Sequence, residues 1–215
     1  MEIENHKEEV PYEYYLEKYS SLDPAETTER LDILYDASAQ KFKFRFMGYE
    51  YEADYPVFDV RLSSKNHSGD DLLPNTLSAK TFILRYLIEG QYIKSSGKFI
   101  TFREVPTYGE LYNQQFTGRC VKRLTFGFGY KLKAYAAAME RIPGVSKIST
   151  GDVSYEFELV NGYRMRFLFW QGDEEFPPSA QILYSDNFQF GFHAEDLVVA
   201  GDLTITAVKS LCVGQ

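Results

Sequence analysis

Lys41-Phe-Lys-Phe-Arg-Phe-Met-Gly-Tyr-Glu-Tyr-Glu-Ala-Asp54 decides the fold class. Phe42, Phe44 and Phe46 alternate with Lys41, Lys43 and Arg45. Tyr49, Tyr51, Ala53 and Tyr55 then alternate with Glu50, Glu52 and Asp54. A period of two belongs to a strand with one face buried and the other wet. Met47-Gly48 interrupts the alternation, so the stretch predicts a β-hairpin. One strand is basic on its wet face and the other acidic, which pairs opposite charges across the ladder. Pro56 ends the hairpin, and Phe58 to Leu62 predicts a third strand.

The same grammar returns further along. Tyr155, Phe157 and Leu159 alternate with Glu156 and Glu158. Asn161-Gly162 follows, a dipeptide suited to the two positive φ angles of a type I′ turn. Tyr163 to Trp170 reads as the returning strand, with Arg164 and Arg166 opposite the glutamates, and Ala180 to Tyr184 as another strand. Lys98 to Arg103 predicts a further strand between the two regions.

Helical spacing fills the rest. Tyr12, Tyr15, Leu16 and Tyr19 follow Pro11, which suits a first helical position. Asp23, Pro24 and Glu26 have the order of an N-cap, a first-turn proline and a capping-box acid, with Leu31, Leu34 and Tyr35 as the apolar face. Asn75 to Glu89 predicts a helix buried through Leu77, Thr81, Leu84, Leu87 and Ile88, with Gly90 as its C′ residue. Thr107 with Glu110 marks a second capping box, opening a helix through Leu111, Tyr112 and Gln115. Tyr130 to Arg141 forms another, with Leu132, Tyr135, Ala136 and Met139 inward, stopped by Pro143-Gly144. Ala194 to Leu211 fits a last helix, although its Val, Thr and Ile content leaves a strand open. Helix, hairpin, third strand and helix thus occur around 24–89 and 130–211. The expectation is an α+β fold of antiparallel β-hairpins flanked by helices, one domain over 1–215. A pseudo-duplicated unit is one reading of the repetition, and ordinary reuse of hairpins is the other.

Composition narrows the function. With 44% hydrophobic and 25% charged residues the chain can bury a real core. Lys and Arg number 23 against 31 Asp and Glu, a net charge of -8, which argues against a nucleic-acid partner. Cys120 and Cys212 stand in no metal-ligand spacing and read as reduced thiols of a cytoplasmic protein. An iron–sulfur cluster normally takes four thiolates, so none is expected on this chain alone. No apolar run is long enough for a membrane span, and the charged Met1 to Glu9 segment has no signal-peptide core.

Leu168-Phe-Trp-Gln-Gly-Asp-Glu-Glu-Phe-Pro-Pro178 holds the single tryptophan, three consecutive acids and a proline pair. Carboxylates of Asp173, Glu174 and Glu175 are the oxygen ligands that hard cations take. His193, Glu195 and Asp196 lie before the last helix. If the strand at Ile182 folds back, Asp173, Glu175, His193 and Asp196 form a metal site for assisted hydrolysis. The competing reading is a solvated turn and a helix cap. Arg103-Glu104 is either an anchor for an anionic ligand or an ion pair with the acidic segment. Trp170 either stacks on a planar ligand or belongs to the core. Phe126-Gly-Phe-Gly129 is a weak phosphate-loop signal. His6 and His67 read as solvated.

Several segments together resemble an uncharacterised prokaryotic family, domain of unknown function 3786. These are Ile83-Leu-Arg-Tyr-Leu-Ile88, Gly97-Lys-Phe-Ile-Thr-Phe-Arg-Glu104, Tyr112 with Phe116, Phe126-Gly127, Gly151-Asp152, Trp170-Gln-Gly-Asp-Glu-Glu-Phe-Pro177, Ile182-Leu183 and Ala194-Glu-Asp-Leu197. The resemblance covers roughly residues 12–203 and is most specific in the Trp170 block. It implies a soluble cytoplasmic domain in an anaerobe. Some relatives carry a four-cysteine iron–sulfur module similar to that of corrinoid iron–sulfur proteins, which this sequence lacks. No catalytic residue carries over. The leading expectation is a non-enzymatic ligand-binding or accessory module whose partner is a small molecule or a cofactor-carrying protein, the cofactor being unknown. The alternatives are a metal-assisted hydrolase and a plain homodimeric interaction domain.

Overall fold

The structure, a computed structural model, describes residues 6–64 and 70–212. The chain begins with α1 (His6–Ser20), α2 (Pro24–Leu31), β1 (Leu34–Asp36), β2 (Lys41–Phe46), β3 (Tyr49–Asp54), β4 (Val60–Leu62) and α3 (Leu77–Glu89). It continues with β5 (Phe99–Thr101), α4 (Gly109–Phe116), α5 (Lys122–Phe128), α6 (Leu132–Met139), β6 (Ser146–Ile148) and β7 (Ser154–Val160). Last come β8 (Tyr163–Trp170), β9 (Ser179–Ser185), α7 (Phe188–Gly191) and α8 (Ala194–Cys212). The fold is α+β, with every strand pair antiparallel.

Nine strands form one sheet in the order β4-β3-β2-β7-β8-β9-β5, with β1 on β2 and β6 on β7. Both hairpins form as expected, with Phe44 opposite Tyr51 and Phe157 opposite Met165. The rings of Phe42, Phe44, Phe46, Tyr51, Phe157, Tyr163 and Phe167 are buried on one face. Helices cover that face. Tyr86 of α3 meets Phe44, Tyr135 of α6 meets Phe169, and Phe116 of α4 meets Tyr184. The buried residues join in one apolar cluster.

The charges share the opposite face. Lys41 pairs with Glu52 at 3.0 Å, Arg45 with Glu158 at 2.7 Å, and Arg164 and Arg166 both reach Glu156. The Arg166 guanidinium also lies 3.7 Å from the centre of the Phe99 ring, a cation–π contact at the sheet edge. The basic strand of the first hairpin therefore lies beside the acidic strand of the second.

Contact between β2 and β7 is narrow. The register holds only Phe46 opposite Val160. Asn161 reinforces it by accepting the Arg45 N–H at 2.7 Å. The turns differ from expectation here. Asn161-Gly162 has a positive φ only at Gly162, at 79°, because a register shift between Glu158 and Val160 absorbs part of the twist. Met47 and Gly48 instead have φ of 46° and 80°, the pair of signs a type I′ turn needs.

Other expectations are corrected by local geometry. Pro11 lies inside α1 rather than at its start. The buried Tyr19, whose hydroxyl donates to the Asp54 carbonyl at 3.0 Å, anchors the helix further along. Asp23 does cap α2, accepting the N–H groups of Ala25 and Glu26. That helix stops at Leu31 because Asp32 turns left-handed at φ 52°, so Leu34 and Tyr35 belong to β1 instead of its apolar face. Gly90 ends α3 in an extended conformation, φ -60° and ψ 151°, and not as a left-handed C′ residue. Thr107 does not cap α4. It sits at φ 72°, and Tyr108 occupies the cap position. Strand Lys98 to Arg103 shortens to β5 because Phe102–Glu104 is a 3-10 turn. Buried side chains spread around α3 beyond the expected stripe, through Ala79, Phe82, Ile83, Leu84, Tyr86 and Leu87. The C-terminal segment is the helix α8. The loop carrying His67 falls outside the described residues.

A Cβ on Gly48 would sit 2.3 Å from the Pro143 carbonyl oxygen, whereas one on Gly144, φ 72°, would meet nothing within 4 Å. Gly144→Ala is expected to cost about 1 kcal/mol from its backbone angle alone. Gly48→Ala adds a steric clash and is expected to cost at least about 2 kcal/mol. Urea midpoints of the two variants check the difference, and equal losses would contradict the close approach to Pro143.

Candidate functional site

Between β8 and β9 the chain makes an excursion over residues 171–178, closed at its base by Trp170 opposite Ser179. Asp152 holds its first residue by accepting the Gln171 N–H at 2.7 Å. Asp173 then organises a tight turn. Its Oδ1 accepts the N–H groups of Glu175 at 2.9 Å and Phe176 at 2.7 Å, while its own N–H donates to the Phe176 carbonyl at 2.9 Å. These backbone donors hold its carboxyl below the usual carboxylate range. Glu174 and Glu175 point to solvent.

Facing this turn is the connection from α5 to α6. The two walls touch at the buried Pro178. A Cβ on Gly129 would lie 2.9 Å from Pro178 Cγ and would force the walls apart, while one on Gly172 would lie 2.6 Å from Pro178 N and would clash within the turn itself. Above the contact opens a cleft of about 430 Å³, lined among others by Tyr130, Lys131, Lys133, Gln171, Asp173 and Phe176. Its apolar parts stay wet: Tyr130 is 77% exposed and Phe176 67%. The first turn of α6 has neither an acidic residue nor a capping side chain. Orphan N–H groups there carry partial positive charge. Trp170 ends β8 and is 37% exposed, so it is not a core residue; following Phe169, which packs on Tyr135 of α6, its side chain faces away from the cleft.

The sequence candidates do not all meet. Arg103 is ion-paired with Glu110, both exposed, and not with the acidic turn. Glu104 accepts the N–H and hydroxyl of Thr101 at 2.8 and 2.9 Å, which makes it a local cap. Asp173 and Glu175 precede β9, whereas His193 and Asp196 follow it. A seven-residue strand separates these ends by roughly 20 Å. Among the described residues no group of three His, Cys, Asp or Glu side chains is placed to hold a metal ion.

The profile of a domain of unknown function, DUF3786, matches residues 23–207. The chain belongs to the DUF3786 family. No curated protein and no solved structure matches it. Among the described residues no helix is long and apolar enough to cross a membrane. Helix α1 precedes the part matched to DUF3786 and packs on α3.

A second polar cluster sits within the DUF3786 domain; sequence reasoning singled out its Asp196 and His193 as metal ligands but not their partner Arg85. Arg85 of α3 pairs with the buried Asp196 of α8 at 2.8 Å. Arg85 also approaches Glu89 at 3.5 Å and lies 5.4 Å from the Tyr15 ring of α1. Asp196 caps its own helix by accepting the His193 N–H at 2.9 Å, while the His193 ring is largely exposed. Cavities of about 210 and 80 Å³ flank the pair. The one available signal was a charged Arg85 inside the apolar run Phe82 to Ile88, because such a residue must find a partner. The cluster joins three helices and reads as a staple. Both cysteines are free; Cys120 is buried, and burial pushes its thiol up to about 12, out of the reactive range.

Burial outweighs the Arg85 attraction and pushes the Asp196 carboxyl up to about 6, against an ordinary value of 3.8. A carboxyl with a raised folded-state value contributes stability that is full below the unfolded value and lost as pH rises through the folded one. Wild-type stability, compared with Asp196→Asn, is therefore expected to fall between about pH 4 and pH 6, by on the order of 2–3 kcal/mol. Denaturant midpoints across that range, measured on both proteins, test it. A difference that is flat with pH, or that rises, would show that Arg85 compensates the burial of Asp196.

Proposed function

We propose that the protein is a non-enzymatic ligand-binding module whose ligand occupies the cleft between the 171–178 turn and the start of α6. One observation carries this reading. Two segments far apart in the chain build one concave surface and hold the rings of Tyr130 and Phe176 in water above it. Apolar rings fixed at the mouth of a pocket, with a few polar groups inside, are the usual composition of a small-molecule site. On this reading the helix–hairpin–strand–helix unit is used twice, about 24–89 and 130–211. The second copy carries the cleft in a lengthened connection, where the first has only the short link around Pro56-Val57.

An accessory role in the cytoplasm of an anaerobic prokaryote is supported by the family resemblance and by the free thiols. The hydrolase alternative finds no support in the separation of Asp173 and Glu175 from His193 and Asp196. A homodimer through the exposed rings would make concentration-dependent mass the observable.

Gln171 lines the cleft and its N–H is fixed by Asp152, so its amide gives a backbone resonance in the cleft wall. Titration with 1-naphthol, a neutral flat probe, is expected to shift that resonance saturably. Tyr130→Ala and Phe176→Ala change exposed side chains and are expected to weaken binding by about three- to tenfold without lowering the melting temperature. A resonance that does not move, or variants that bind as well as wild type, would exclude the cleft as the ligand site.

A further inference from the structure

We infer that the cleft is selective for a flat organic anion, its ring between Tyr130 and Phe176 and its acidic group toward Lys131 and Lys133. This rests on the cleft being the ligand site and adds the chemical class of the ligand. Among the side chains named above as lining the cleft, three carry charge: Lys131, Lys133 and Asp173. Asp173 has one oxygen committed to the N–H groups of Glu175 and Phe176, so it acts chiefly as a turn former. Among the described residues neither lysine has an ion-pair partner, whereas the arginines at 45, 61, 85, 103, 119, 123, 141, 164 and 166 are all paired. Among the side chains that line the cleft the two lysines outnumber the one carboxylate, while Glu174 and Glu175 of the same turn are exposed and do not line it.

Placement and volume agree with that assignment. Lys131 and Lys133 flank Leu132 at the start of α6, on the wall opposite the acidic turn. Lysine suits this role because its ammonium is a point charge on a flexible stem, able to meet a carboxylate, sulfonate or phosphate without a fixed fork geometry. The rings supply apolar contact, and their edges tolerate any planar body. A volume of about 430 Å³ lies in the range of small-molecule sites and leaves room for a bicyclic ring with one acidic substituent.

The test compares 1-naphthol with 1-naphthyl phosphate on the full chain by calorimetry, in low and in high salt. The anion is expected to bind at least about tenfold tighter, with an advantage that shrinks as salt rises. Replacing both lysines, Lys131→Ala with Lys133→Ala, is expected to remove that advantage and leave the affinity for 1-naphthol unchanged. Both side chains are exposed, so the folded state tolerates the change, and an unaltered melting curve verifies it. Equal affinity for the two probes, or an advantage that survives the double substitution, overturns the anion assignment while the cleft reading stands. Absence of binding by either probe, with the Gln171 resonance unmoved, overturns the cleft reading and the assignment together.

Discussion

Large rings alternating with charges along the strands form the constraint on which the rest of the structure depends. An antiparallel sheet covered on one side must keep its other side wet. Here β3 is acidic, β2 basic, β7 acidic and β8 basic on the wet face, so charges at the strand pairings meet opposite signs. Exposed pairs of this kind each contribute little, typically below about 1 kcal/mol. Their larger effect is on specificity. A slip of one residue in β2 would place Phe42, Phe44 and Phe46 in water and Lys43 in the core, a cost no alternative pairing recovers. Register secured in this way leaves one continuous aromatic face on which the helices assemble.

The junction of the two hairpins follows from the same pattern. Strands β2 and β7 meet at one register pair, Phe46 with Val160, because β1 and β6 occupy the rest of their inner edges. Arg45 bridges the gap twice, through its side chain to Glu158 and its N–H to the Asn161 side-chain Oδ1. A narrow junction lets each hairpin keep its own third strand. The second of these, β9, is tied to β8 from Met165–Tyr184 to Trp170–Ser179. The excursion between them hangs from a fixed base, so its length and chemistry vary without disturbing the core.

How legible each part was depends on the range of the forces involved. Period-two alternation exposed both hairpins, and the oxygen of Asp23 followed by Pro24 marked the start of α2, because these signals are local. The end of α2 was hidden because it rests on Asp32 adopting a left-handed angle that its neighbours do not announce. Thr107 and Glu110 had the right spacing for a cap, but Glu110 is drawn to Arg103 and the chain turns at Thr107. For the candidate site, the turn at Asp173 was readable from its acids and prolines. Its opposite wall was not, since Tyr130 to Lys133 come from an unrelated part of the chain. His193 and Asp196 looked like partners of that turn only while the direction of β9 was unassigned.

Arg85 and the cleft lysines show why burial and charge alone do not distinguish a structural group from a functional one. Burial raises the Asp196 carboxyl, yet its partners are internal: Arg85 on one side, the His193 N–H on the other, and Tyr15 over the guanidinium. Removing any one of these leaves a charge uncompensated inside the fold, which is reason enough for the arrangement. Tyr130, Phe176, Lys131 and Lys133 have no equivalent internal account. Exposing two rings gains nothing for folding, and neither ammonium group has an ion-pair partner among the described residues. Glycine at 129 lets the walls close on Pro178, glycine at 172 lets the turn itself fold tightly, and the four side chains are left around one space. A group completed within the fold is explained by stability; a group held open at some cost to stability is better explained by what enters the space it faces.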